Sequence, residues 1–299
     1  MKPKTQPKLR RAVICLFLSA LCLLQGCLKV NPNGDGNGTP SGTDSQTVSR
    51  TPYLYESMTY IYKTDQNTFL SDILTGMDAG YLLLVNKQHP VVDAYELDAN
   101  GYILEAGVLL TAYAAKSGMY LEGRATRALY AMLAEMAADG ITDVKIQSAY
   151  RSQTYQNSLF NNYWASEQNK ISEDARAFFG EEYIQTVYRA NGLTKLTAGD
   201  AKKVANFYSA FPGQSEHHTG LCVDFVTSGA GLTNAFANTE AGQWLLQNCY
   251  RFGFILRYPE NKTDITGYCY EPWHYRFVGR EAATEIMLRG LTLEEFLEG

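Results

Sequence analysis

Apolar positions along the chain fall into short periodic runs. Ala125 to Ala138 sets Leu129, Met132, Leu133 and Met136 on one stripe at helical spacing, with Gly140 as the stop. Thr68 to Met77, Gln153 to Trp164, Glu240 to Tyr250 and Glu281 to Arg289 predict further helices. Asp143 to Ser148 alternates, with Val144 and Ile146 on one face, and predicts a strand. Leu221 to Val226, Phe252 to Leu256 and His274 to Val278 predict others, and the apolar run Tyr81 to Val85 predicts a strand entering a turn. Residues 166–207 are charged, Ala-rich and broken at Asn191-Gly192, which predicts a two-helix insertion within 165–211. Helices and antiparallel strands mix without βαβ regularity. The expected class is therefore α+β, a small antiparallel sheet with flanking helices.

The N-terminus departs from this pattern. A basic segment, Lys2 to Arg11, precedes an apolar run from Ala12 to Leu24. A membrane-crossing helix takes about 20 apolar residues, so the shorter run suits a signal peptide better than a permanent span. It ends in Leu24-Gln25-Gly26-Cys27, which resembles a bacterial lipobox with Cys27 as the lipidated new N-terminus. Ordinary cleavage with release, or an uncleaved anchor, are the alternatives. Residues 28–52 are Gly, Asn, Ser, Thr, Asp and Pro with almost nothing to bury, and read as a flexible linker spanning roughly 25–30 Å. The expected organisation is a lipoprotein signal over 1–27, a linker over 28–52 and a catalytic domain over 53–299. That places the domain outside the cell membrane, tethered by lipid.

Composition narrows the partners. The 299 residues are 45% hydrophobic and 19% charged, which excludes a disordered chain or a bundle of membrane spans. The formal charge is −5, but residues 1–26 hold five basic side chains and no acid. Beyond them 21 basic face 31 acidic side chains, a balance of −10. Nucleic acid is therefore not an expected partner. Beyond Cys27 there remain Cys222, Cys249 and Cys269, an odd number, so at least one cannot pair within the chain. Small buried roles are the plain reading, with a Cys222–Cys269 bridge as the alternative.

The chemistry concentrates in two short segments. Three of the four histidines lie within 215–224 (SEHHTGLCVD) and 271–274 (EPWH); the fourth is His89, next to Pro90 and read as structural or rim. His217, His274 and Asp224 offer two neutral nitrogens and one oxygen, a set that suits zinc and leaves a fourth tetrahedral position to water. Zinc lowers the pKa of bound water from about 15.7 to near 7. Glu271 lies three residues before His274, and the intervening Pro272 breaks strand pairing and lets both aim at one point. Taken singly, His274 reads as a core residue, Asp224 as a turn or cap and Glu271 as a surface acid. His218 reads as a supporting or exposed residue, and Cys222 shares the strand parity of Asp224.

These two segments resemble the VanY family of D-alanyl-D-alanine carboxypeptidases, zinc peptidases of the hedgehog/DD-peptidase fold. The likeness extends to 84–87 (LVNK), 148–152 (SAYRS), 252–259 (FGFILRYP) and 290–295 (GLTLEE). It implies Zn²⁺ as cofactor with His217, Asp224 and His274 as ligands and Glu271 as the general base. It implies that Arg151 faces the metal and contacts the scissile carbonyl or the terminal carboxylate, with Ser215 and Gln156 as further holders of that carboxylate. The substrate would be peptidoglycan stem peptides losing a C-terminal D-Ala, and the enzyme a monomer. The alternatives are cleavage of the L,D bond of tetrapeptide stems, or a wall-binding lipoprotein in which zinc only holds the fold. His218 stands where the family often has Gln, Cys222 where Ala is usual, and 165–211 is longer than typical.

Overall fold

The computed structural model describes residues 60–65, 70, 79–91 and 107–299. The signal segment with Cys27, the linker over 28–52 and all but Leu70 of the helix expected over 68–77 lie outside the described residues. In chain order the labelled elements are β1 (Val108–Leu109), β2 (Tyr120–Leu121), α1 (Gly123–Ala138), β3 (Lys145–Ser148), α2 (Gln153–Glu167) and α3 (Glu173–Phe179). They continue with α4 (Ala198–Tyr208), β4 (Cys222–Val226), α5 (Glu240–Asn248), β5 (Phe254–Leu256), β6 (His274–Phe277), α6 (Arg280–Arg289) and α7 (Leu293–Glu298). β1 and β2 form a short antiparallel pair, and a second sheet runs β3-β4-β6-β5, antiparallel throughout. The α+β class holds.

Strand parity sorts the central sheet into two chemistries, because successive side chains point to opposite faces. On β4, Val223 and Phe225 join the main hydrophobic core, as do Tyr275 and Phe277 on β6. The helical stripe Leu129, Met132, Leu133 and Met136 of α1 belongs to the same core. The alternate positions Cys222 and Asp224 of β4, and His274 and Arg276 of β6, are buried as well and none belongs to that core. Register places Asp224 opposite His274 and Cys222 opposite Arg276. One face of the sheet is therefore greasy and the other reactive.

The strand expected over Tyr81 to Val85 is absent. Ala79–Leu82 is a 3-10 turn, and Leu83 N–H bonds back to the Gly80 carbonyl. The carbonyls of Tyr81 and Leu83 accept from the Arg276 guanidinium at 3.1 and 2.9 Å. A buried arginine takes the acceptors that a neighbouring strand would need. The stretch 166–207 is helical, with α3, α4 and intervening turns around a small core of its own, including Ala175, Ile184, Tyr188 and Val204. Gly192, at φ +70°, supports the break expected at Asn191-Gly192.

Behind the reactive face lies a closed ionic network. Glu216 Oε1 accepts from Arg257 Nε at 2.7 Å and from Arg276 Nη1 at 2.8 Å. Arg257 also forks onto Glu294 at 2.8 and 2.6 Å, and Asn86 donates to the same carboxylate. Both guanidiniums and Glu216 are fully buried, and two positive charges meet two negative ones. Removing one member of a buried ionic set strands the others at a cost of about 3–5 kcal/mol. Glu216→Ala is therefore expected to lower unfolding stability by about that amount in urea titrations; a change below about 1 kcal/mol would show that the network is dispensable.

Candidate metal centre

His217 enters the site from a 3-10 turn, Glu216–Thr219, that ends at Gly220 with φ +66°. That left-handed position turns the chain directly into β4, which carries Asp224. Glu271 reaches the site by a tight turn: the His274 N–H bonds to the Glu271 carbonyl at 3.1 Å, with Pro272 at the second position that such turns favour. The turn, rather than strand alternation, returns Glu271 to the side of His274. Its Oε2 lies 3.9 Å from His274 Nδ1. Arg151 comes from the loop after β3, where the β3–β4 register shifts between Ile146 and Ser148 and Ser148 lies opposite Asp224.

The geometry centres on Asp224. His274 Nδ1 stands 2.9 Å from its Oδ1, His217 Nε2 3.2 Å from its Oδ2, and Arg151 Nη2 2.6 Å from the same Oδ2. The other His217 nitrogen, Nδ1, donates to the Ala149 carbonyl at 2.5 Å, so the Nε2 lone pair of the neutral ring faces a carboxylate oxygen. Two lone pairs do not hold each other at that distance. Either the His217 ring is protonated or a cation sits among these groups, and this donor set of two imidazoles and an acid fits zinc. The electrostatics carry the same demand for positive charge. Burial and Arg151 oppose protonation of His217, yet Asp224 tips it upward. Burial also opposes protonation of His274, and Cys222 and Asp224 raise it well above the ordinary value. Asp224 is held well below the usual carboxylate range because His217, His274 and Arg151 outweigh its desolvation.

One donor atom from each of His217, Cys222 and His274 lies within 4.8 Å of the other two, all three residues being buried. Burial opposes ionisation of the Cys222 thiol, and the two histidines bring it down to about 7. Cys222, Cys249 and Cys269 are all free thiols, so the Cys222–Cys269 bridge is not formed. Beyond His274, the Nε2 atom makes no hydrogen bond, and Glu216 Oε2, itself without one, lies 3.6 Å away. A ligating histidine is commonly oriented by a carboxylate on its outer nitrogen, and Glu216 is placed for that role.

A cleft of about 1070 Å³ opens over these groups, with Arg151, Ser215, Glu271 and Trp273 among its lining residues and Glu173 and Asp174 of α3 also lining it. Gln156 is not in that wall. It is fully buried; its Oε1 accepts from Arg151 Nη1 at 3.3 Å and its Nε2 donates to the Ala210 carbonyl at 2.8 Å. Its amide bridges Arg151 and the Ala210 carbonyl, which sets it directly beside the guanidinium expected to meet substrate. His218 is likewise inward: Nδ1 donates to the Arg151 carbonyl at 2.7 Å and Nε2 accepts from Gly213 N–H at 3.1 Å. His89 sits exposed in a turn closed by Asn86. Sequence reasoning missed Glu216 and Arg257. The signal was an arginine inside each of two aromatic runs, 254–258 (FILRY) and 274–277 (HYRF), where no solvent is available to it.

A family model for VanY, D-alanyl-D-alanine carboxypeptidase, matches residues 118–280. The chain is 35% identical over 216 residues to a D-alanyl-D-alanine carboxypeptidase of Enterococcus faecalis, an alignment that takes in 72% of this chain and 65% of that enzyme's length. Its fold resembles the vancomycin-resistance D,D-pentapeptidase VanY of a VanB-type cassette, solved with Zn(II), at a TM-score of 0.54 and 35% identity over 73% of this chain and 99% of that one. It also resembles the LD-carboxypeptidase LdcB, at a TM-score of 0.53 and 32% identity over 73% of this chain and 86% of that one. The chain belongs to the VanY family.

Glu271 supplies a pH test of the site in metal-free protein. Burial and the Asp224 charge outweigh the pull of His274 and push its carboxyl from 4.5 up to about 7. The folded state then binds the proton more tightly than the unfolded chain. Its contribution is complete below about pH 4.5 and is lost as pH rises to about 7, a fall of about 3 kcal/mol. Urea titrations of the metal-free parent and Glu271→Gln are expected to diverge by that amount across the window, and a constant difference contradicts the assignment.

Proposed function

We propose that the chain is a zinc-dependent carboxypeptidase that removes the C-terminal D-Ala from peptidoglycan stem peptides. Its place of action would be outside the bacterial membrane, with Cys27 as the lipid anchor. The observation that carries this reading is Glu271 at 3.9 Å from His274 Nδ1, with both residues on the wall of a cleft that Arg151 also lines. A solely structural metal site has no use for an acid at that position. His217, His274 and Asp224 would hold the ion. Bound there, zinc supplies Lewis-acid polarisation of the scissile carbonyl and acidifies water.

The chain's own residues do the rest. Glu271 takes a proton from the attacking water as its oxygen bonds to the carbonyl carbon, then gives that proton to the departing amine as the C–N bond breaks. Its buried position beside His274 keeps the carboxyl close to the reacting groups for both transfers. Arg151 presents a planar fork that stays charged and suits the terminal carboxylate of a peptide. Ser148 accepts from its Nε at 2.8 Å and Gln156 from Nη1, which fixes the direction of the fork. Ser215, buried at the mouth of the 3-10 turn and lining the cleft, is placed to assist with the same carboxylate. The likeness to LdcB favours the L,D bond of tetrapeptide stems as the second reading.

Mass spectrometry of muropeptides incubated with the purified protein separates these readings. The parent is expected to take one alanine from pentapeptide stems and leave tetrapeptides intact. Glu271→Gln is expected to keep its zinc and to lower kcat by about 10²–10⁴. Near-parental turnover in that variant overturns the mechanism, and loss of alanine from tetrapeptides alone establishes the L,D specificity instead.

A further inference from the structure

We infer that His218 is a positioning residue for Arg151: its imidazole fixes the backbone that carries the guanidinium toward the terminal carboxylate, and so sets the affinity for substrate. The inference rests on the carboxypeptidase reading and adds a residue to its carboxylate site. Arg151 is bound from two directions. Gln156 Oε1 accepts from its Nη1 at 3.3 Å, and His218 Nδ1 donates to its carbonyl at 2.7 Å. Each of these side chains then reaches the same stretch of chain, the return from α4 to the 3-10 turn that bears His217. Gln156 Nε2 donates to the Ala210 carbonyl at 2.8 Å, and His218 Nε2 accepts from the Gly213 N–H at 3.1 Å. Arg151 and that return loop are thus bridged twice, once through the arginine side chain and once through its backbone.

The ring has the valence for this bridge and none to spare. A neutral imidazole carries one donor and one acceptor. The Arg151 carbonyl can only accept, so Nδ1 holds the proton and Nε2 is left for the Gly213 N–H. Gly213 is itself anchored, because its carbonyl accepts from the Val91 N–H at 2.7 Å. It sits at φ +89°, and a Cβ there would come within 3.0 Å of the Val91 carbonyl oxygen. On its other side, the Arg151 N–H donates to the His217 carbonyl at 3.0 Å. The backbone of Arg151 is therefore held at both N–H and C=O by the two adjacent histidines. His218 is fully buried, so water does not replace its bonds when the ring is removed. A displacement of about 1 Å in a group that orients substrate can cost about 10²-fold.

Steady-state kinetics on whichever stem peptide the parent cleaves test this. His218→Leu fills the space and removes both bonds. It is expected to raise KM at least about tenfold while kcat stays within about threefold, the signature of lost substrate binding. Zinc content is expected to stay at one equivalent. His218→Gln, whose amide offers both a donor and an acceptor, is expected to bring KM back to within about threefold of the parent. Should the Leu variant fail to fold by circular dichroism, His218→Asn, too short to reach both partners, takes its place with the same expected rise in KM. An unchanged KM, a fall in kcat alone, or a Gln variant no better than the disabled one overturns the positioning role and leaves the carboxypeptidase reading standing. A parent that releases alanine from neither pentapeptide nor tetrapeptide stems brings down that reading, and the inference with it.

Discussion

Three groups that carry or attract positive charge converge on one buried carboxylate, that of Asp224. His274 approaches Oδ1, and His217 and Arg151 both approach Oδ2, all within 3.2 Å. With His217 fixed by the Ala149 carbonyl, its inner nitrogen points a lone pair at an anion. That arrangement is held open for positive charge, and the rest of the reactive face follows from it. The same field acts on the Cys222 thiol, and Glu271 has its carboxyl raised by burial beside a second acid.

The fold supplies this convergence through parity and buttressing. Antiparallel register sets Asp224 opposite His274, while the intervening residues Val223 and Tyr275 tie the same strands to the core through the other face. Beneath the site, Glu216, Arg257, Arg276 and Glu294 form a balanced, solvent-free network that fixes the 3-10 turn bearing His217. Pairing of this kind adds little net stability over an apolar substitute, yet it fails badly when one partner is lost. What it provides is position. Glu216 is the link, bonded to both arginines by one oxygen and facing His274 with the other. Arg151 is held in the same way from the opposite side, by Ser148 and Gln156 through its side chain and by His218 through its backbone.

Much of this was legible in the sequence where chemistry restricts residue type. Metal donors and a base must be His, Asp or Glu, so His217, Asp224, Glu271 and His274 stand out from a chain with four histidines. The helical stripe of α1 and the alternation of β3 were legible because burial imposes their periods. Direction was harder to read. Gln156 lies in a polar helical run, and nothing in that run says that its amide points inward to Arg151. The run Tyr81 to Val85 has a strand's composition, but its carbonyls serve Arg276, which lies about 195 residues further along the chain. The buried network was hidden for the same reason: a charge inside an aromatic run names no partner until the fold brings one.

The account stands on a cation being bound among His217, Asp224 and His274, and equilibrium dialysis against zinc tests this most directly. It predicts one equivalent of zinc per chain in the parent, and none in a His217→Ala, His274→Ala double variant whose circular dichroism matches the parent. A parent that binds no zinc, or a double variant that retains a full equivalent, would contradict it.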